Sequence, residues 1–183
     1  RTVNRGSVLY MALEEHPDTV IDSFKMLGLP IDSSLLIHTG RAGAEEIPEL
    51  EQIIREREPA MVVIDTVGRL RPRNLDMSDY SSTGEWIETF MYMAHESKTC
   101  ILVLHHDNKE GRNSLGYDAV NSVLGSTVVG ATVDQLISIR RNRNGQRAFQ
   151  TIGRFGDIPE TGFELDRETQ RLHLTGTRHE QAT

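Results

Sequence analysis

Three apolar runs in this chain end in groups that can do chemistry. Met61-Val62-Val63-Ile64 runs into Asp65 and Thr66, Val8-Leu9-Tyr10-Met11-Ala12-Leu13 into Glu14 and Glu15, and Ile101-Leu102-Val103-Leu104 into His105, His106 and Asp107. A carboxylate at such a point can polarise a water molecule, and a second can hold magnesium. A neutral histidine can hydrogen-bond to a phosphate oxygen. Phosphoryl transfer to water needs those parts and a cationic donor for the charge that builds up.

These groups are useful only if the fold gathers them. The run before Asp65 is continuous rather than alternating, which marks a strand covered on both faces, as in a parallel α/β sheet. Such sheets bind ligands at the carboxyl ends of their strands. The pattern predicts strands over 8–13, 35–38, 61–66 and 99–105. Between them it predicts a helix opened by Pro17 and Asp18, with Val20, Ile21, Phe24 and Leu27 on one face, and helices over 44–57 and 79–97. Alternating β and α units imply a parallel sheet with right-handed crossovers. That topology puts Glu14, Asp65 and His106 on one rim.

The second half reads differently. Residues 107–125 are rich in Gly, Asn and Ser and read as a mobile loop, and 126–133 as a short helix. Stretches 135–140 and 148–155 flank Asn144-Gly145, a hairpin signal, and 163–165 with 171–174 form a weaker pair. With no repeat or linker, the expectation is one domain over 1–175 and a polar, frayed tail from Thr175, flexible over 176–183.

The composition, 37% hydrophobic and 26% charged over 183 residues, suits a soluble globular protein better than a disordered chain. No apolar run approaches the roughly 20 residues of a membrane helix, so no membrane partner is expected. The lone Cys100 excludes a disulfide framework and points to a reducing cytoplasm. A net charge of −7 argues against a general electrostatic grip on nucleic acid, while leaving room for a local basic lining. Arginines do cluster, at Arg69, Arg71 and Arg73 and at Arg140, Arg141, Arg143 and Arg147. Either cluster alone is also what a solvated loop looks like.

Each signal has a plain alternative. Glu14 could be an ordinary strand-end acid, and Asp65 alone is common in α/β folds. His105-His106-Asp107 could be proposed as a metal site, but adjacent strand residues point to opposite faces. The remaining histidines, at 16, 38, 95, 173 and 179, are scattered.

Taken in order, V-L-Y-M-A-L-E-E, M-V-V-I-D-T-V, I-L-V-L-H-H-D-N-K and G-S-T-V-V-G-A-T-V-D-Q resemble the motifs of RecA-like ATPases of the RepA type. Those are hexameric plasmid replication helicases with many bacterial and phage relatives. The resemblance spans roughly residues 5–155 and lies in the ordered set. It implies a RecA-like core with ATP and Mg2+ as cofactors and a homo-oligomeric, hexameric ring. It implies that Glu14 activates the attacking water. Asp65 becomes the Walker B aspartate that holds Mg2+ through the nucleotide, with Thr66 beside it. His106 becomes the sensor histidine, with His105 beside it. Arg141-Asn142-Arg143-Asn144-Gly145 resembles the K-x-R-N-G hairpin of DnaB-type helicases, whose basic pair enters a neighbouring subunit's nucleotide site. Arg143 is then the finger, Arg141 its helper and Arg154 a reserve. The loops after the Walker B and sensor strands resemble pore loops and would offer Arg69, Arg71, Arg73, Lys109 and Arg112 to single-stranded DNA. Such contact is salt-sensitive and sequence-blind. Beyond Tyr80 and Tyr117 there is little aromatic interleaving to support base stacking.

One departure matters. The phosphate-cradling G-x-x-x-x-G-K-[ST] of P-loop NTPases is absent from the sequence. In the family that strand precedes the one near Val8 and lies beside the sensor strand, so its loss leaves a strand edge open. Two accounts fit: a fragment, or a degenerate relative that assembles without hydrolysing ATP. A start at Arg1 without methionine favours the fragment. The expectation is that this polypeptide alone neither binds ATP tightly nor turns it over. A RecA-like ATPase serving a signalling partner remains a further alternative.

Overall fold

The apolar runs become strands because both of their faces are covered. The computed structural model describes residues 6–29, 34–76, 79–106, 127–141 and 145–177. The chain divides into two units, Arg1–His106 and Asp107–Thr183. In the first, β1 (Val8–Ala12), β2 (Leu35–Thr39), β3 (Met61–Asp65) and β4 (Cys100–Val103) form a sheet of order β2-β1-β3-β4. Every neighbouring pair is parallel. Helices α1 (Pro17–Met26), α2 (Ile47–Arg57) and α3 (Tyr80–Ser97) connect them. The fold class is α/β, as the alternation of elements predicts.

Strand order decides where the helices lie. The step from β1 to β2 runs one way and the steps to β3 and β4 run the other. Right-handed crossovers then place α1 on one face and α2 with α3 on the opposite face. Phe24 of α1 meets Tyr10 edge-on at 5.1 Å, so Tyr10, Val63 and Asp65 share the α1 face. Leu9, Met11, Val62 and Ile64 alternate with them and are buried on the other face.

In the first unit, two boundaries differ from the sequence reading by two residues or more. The helix expected over 44–57 begins as a 3-10 turn, Ala44–Glu46, and becomes α-helical only at Ile47. Pro48 explains this, since proline suits the first helical turn and not a later one. The strand expected over 99–105 stops at Val103. After Asp65 its partner β3 turns into a 3-10 turn, Val67–Leu70, leaving β4 no strand to follow. His105 and His106 therefore lie beyond the strand, and strand alternation does not separate their side chains. Strand β4 is an edge of the sheet; Cys100 is exposed and Leu102 is 39% exposed.

The second unit carries α4 (Thr127–Thr132) and an antiparallel sheet, β5 (Gln135–Arg141), β6 (Arg147–Gly153), β7 (Ile158–Leu165) and β8 (Leu172–Thr177), in that order. Strand β6 ends at Gly153, not at the expected 155. A Cβ at Gly153 would lie 2.4 Å from the Asp134 carbonyl oxygen, a close approach that only glycine permits. Strand β7 starts earlier than expected, and β8 runs to Thr177, which pairs with Thr161. The loop expected over 107–125 lies outside the described residues.

Candidate active site

The parallel register sets Ala12 beside Asp65, and the Leu13 amide donates to the Asp65 carbonyl at 2.8 Å. Glu14 thereby leaves β1 at the point where β3 turns away. The turn that follows is pinned by Val67 and Leu70, both fully buried. That pinning delivers two donors to one carboxylate oxygen. Thr66 Oγ1 donates to Glu14 Oε1 at 2.9 Å, and Arg69 Nε donates to the same atom at 3.1 Å. His106 Nε2 lies 3.5 Å from Glu14 Oε2. The Thr66 hydroxyl does most to hold the Glu14 carboxyl below its usual pKa; desolvation opposes it, and Arg69 and His106 add to the lowering.

Asp65 is held from the α1 face. Tyr10 donates its hydroxyl to Asp65 Oδ2 at 2.8 Å. Burial, then the Asp65 carboxylate, pushes the Tyr10 hydroxyl well above its ordinary pKa, so it stays a protonated donor.

Glu14, Asp65, Thr66 and His106 thus gather at one rim of the sheet, as their order in the sequence predicts. The Thr66 hydroxyl, expected beside the nucleotide, is spent on Glu14. His105 is exposed next to His106. Arg71 and Arg73 are exposed on the segment after the pinned turn. Arg141 belongs to the second unit and donates from Nε to the Gly145 carbonyl at 3.2 Å. Arg154 pairs with Asp134 at 2.9 Å. Arg143, Lys109 and Arg112 lie outside the described residues.

The sequence does not single out Tyr10, and it offers Arg69 as a pore-loop cation rather than as a partner of Glu14. Both left a signal. Tyr10 sits two residues before Ala12 and so shares the face that register gives to Asp65. Val67 and Leu70, three apart, mark a helical turn with Arg69 on its outer side.

Among the described residues, no three His, Cys, Asp or Glu side chains gather into a metal-binding group. Magnesium needs no such cage, because it is commonly held by one or two carboxylates plus substrate phosphates. Asp65 is a strand-end carboxylate oriented by Tyr10, a donor type that would suit that ion. The phosphate cradle is a different matter, since no G-x-x-x-x-G-K-[ST] occurs in the sequence.

The AAA domain family model AAA_25 matches residues 1–112, a span that holds every member of this rim. Fold, rim and match together define an ATPase domain of the P-loop/AAA type, a nucleotide-binding class of module. The chain belongs to the AAA domain family. No curated protein matches it. Among the described residues, no helix is long and apolar enough to cross a membrane.

Proposed function

We propose that this chain is the hydrolytic part of a RecA-like ATPase core from a ring-forming motor of the RepA/DnaB type, acting on single-stranded DNA in the cytoplasm. The observation that carries the reading is the meeting of Glu14, Thr66 and His106 beside Asp65 at one sheet rim. In this reading Asp65 would hold magnesium through the nucleotide, and the ion would offset charge on the phosphates. Glu14 takes a proton from the attacking water. His106, which lies beside Glu14 before nucleotide binds, is the sensor that turns its N–H toward phosphate. Arg143, with Arg141 behind it, supplies charge to a neighbouring subunit's site in a hexamer. Arg71, Arg73, Lys109 and Arg112 meet DNA phosphates.

The chain holds no G-x-x-x-x-G-K-[ST], so in this reading it does not turn ATP over alone. Glu14→Gln in the gene's full-length product should lower turnover by about 10²- to 10⁴-fold while sparing ATP binding. Retained turnover would show that Glu14 is not the base. The net charge of −7 favours a second reading, an ATPase that serves a protein partner. An ATPase rate unmoved by single-stranded DNA would select it.

A further inference from the structure

Phe155 is 82% exposed, the most exposed large apolar side chain among the described residues. The turn that carries it is well held. Arg154 N–H donates to the Asp134 carbonyl at 2.8 Å, Phe155 N–H to Gln135 Oε1 at 3.3 Å, and Gln135 Nε2 to the Gly156 carbonyl at 3.2 Å. Ile152 and Ile158, both partly exposed, flank the turn in sequence. A lone exposed apolar group is ordinary, whereas an ordered turn that holds an aromatic ring in water among apolar neighbours is built like an interface anchor. The first unit offers a hole of matching chemistry. A groove of about 500 Å3 lies between the start of α2, the segment after the Val67–Leu70 turn and the first half of α3. Among the described residues, Ile47, Pro48, Pro72, Leu75 and Trp86 supply its apolar lining. The two prolines stiffen its walls, so little order is lost when it fills. Trp86 is 5% exposed, and its indole N–H finds no acceptor among the described residues, as on a surface completed by something else. Exposed Glu85 puts negative charge on the lining, and Arg154, 63% exposed beside Phe155, brings positive charge.

We infer that this groove is a docking site for a second copy of the chain, whose Phe155 enters it as a knob. The knob belongs to the second unit and the hole to the first, so the two surfaces in contact differ. Such a contact is head-to-tail: each copy keeps a free knob or a free hole for the next, and the series closes into a ring or runs on as a filament. The contact needs neither nucleotide nor DNA nor Arg143. It therefore goes beyond the proposed function and stands independently of it, while giving the proposed ring a place where subunits meet.

Sedimentation velocity of the 183-residue chain at rising concentration gives the first test. The parent should associate. Phe155→Ser, which removes the knob, should raise the concentration for half association by roughly 30-fold or more, the loss typical of an aromatic hot spot. Thr89→Phe, which fills the hole from α3, should do the same, and Ala44→Phe fills it from another wall if the first variant folds poorly. A parent that stays monomeric overturns the inference, as does association that survives both changes. Mixing supplies the second test. Phe155→Ser keeps its hole and Thr89→Phe keeps its knob, so together they should form a heterodimer and nothing larger. Trp86 is the chain's one tryptophan, so its indole N–H gives a single NMR signal inside the groove. With only the Phe155→Ser protein isotope-labelled, adding unlabelled Thr89→Phe protein should move that signal, and adding the unlabelled double variant should not. A signal that ignores the Thr89→Phe protein, or answers both additions alike, overturns the pairing of this knob with this hole. The proposed motor activity is judged separately, by turnover of Glu14→Gln.

Discussion

Thr66 Oγ1 donates to Glu14 Oε1 across 2.9 Å, joining two strand ends that lie 52 residues apart in sequence. The bond favours the ionised carboxylate, and it heads the causes that hold the Glu14 pKa below its ordinary value of 4.5. A group whose folded pKa is depressed stabilises the fold above its unfolded pKa, and loses that contribution as pH falls through the folded value. Thr66→Val should therefore raise the Glu14 pKa toward 4.5. Hydrogen bonds to charged groups contribute about 1.5–3 kcal/mol, and solvent reaches this carboxylate, so the loss at neutral pH should be about 1 kcal/mol. Urea unfolding would show that loss at neutral pH and its disappearance in acid below the Glu14 folded pKa.

Tyr10 makes a separate prediction, because it touches Asp65 and not Glu14. Tyr10→Phe keeps the edge-on contact with Phe24 and removes the donor to Asp65 Oδ2. Groups that orient a metal's ligands typically change metal affinity by about 10- to 100-fold. The variant of the full-length product should need correspondingly more magnesium for half-maximal ATPase activity, with the rate at saturating magnesium little changed. A lower saturating rate at unchanged magnesium affinity would place Tyr10 outside the metal site.

How much of this was legible from the residues depends on range. Strands β1 to β3 and the rim they build follow from apolar runs that end in polar groups, a local pattern. The end of β4 was not legible, because it depends on where its neighbour β3 leaves the sheet. The contact of Arg69 with Glu14 depends on a turn held by Val67 and Leu70, whose burial is a tertiary fact. The start of β7 was hidden by Pro159 and Gly162, residues that read as strand breakers yet sit in a strand with a register shift at Gly162/Phe163.

Burial separates core from surface sharply enough to test. Ile64 is 0% exposed in the strand that leads to Asp65, whereas Leu174 in β8 is 68% exposed. Ile64→Ala should cost about 2–5 kcal/mol, the usual range for truncating a buried aliphatic side chain. Leu174→Ala should stay within about 0.5 kcal/mol of the parent, as surface changes do. Denaturant melts of both variants check the pair. Equal losses would mean that Leu174 is covered in solution.

The proposed ring makes its own prediction through Arg143. If that residue completes a neighbouring subunit's site, Arg143→Ala and Glu14→Gln should each silence the full-length product. Arginine fingers supply on the order of 10³- to 10⁵-fold in rate, so either loss should be near complete. Mixed assemblies behave differently. A subunit carrying Arg143→Ala keeps its own Glu14, and a Glu14→Gln neighbour can lend it an intact Arg143. Mixing the two inactive proteins should therefore restore part of the ATPase rate, greatest near equal proportions. A mixture that stays silent, although the subunits demonstrably exchange, would mean that Arg143 does not act across a subunit boundary.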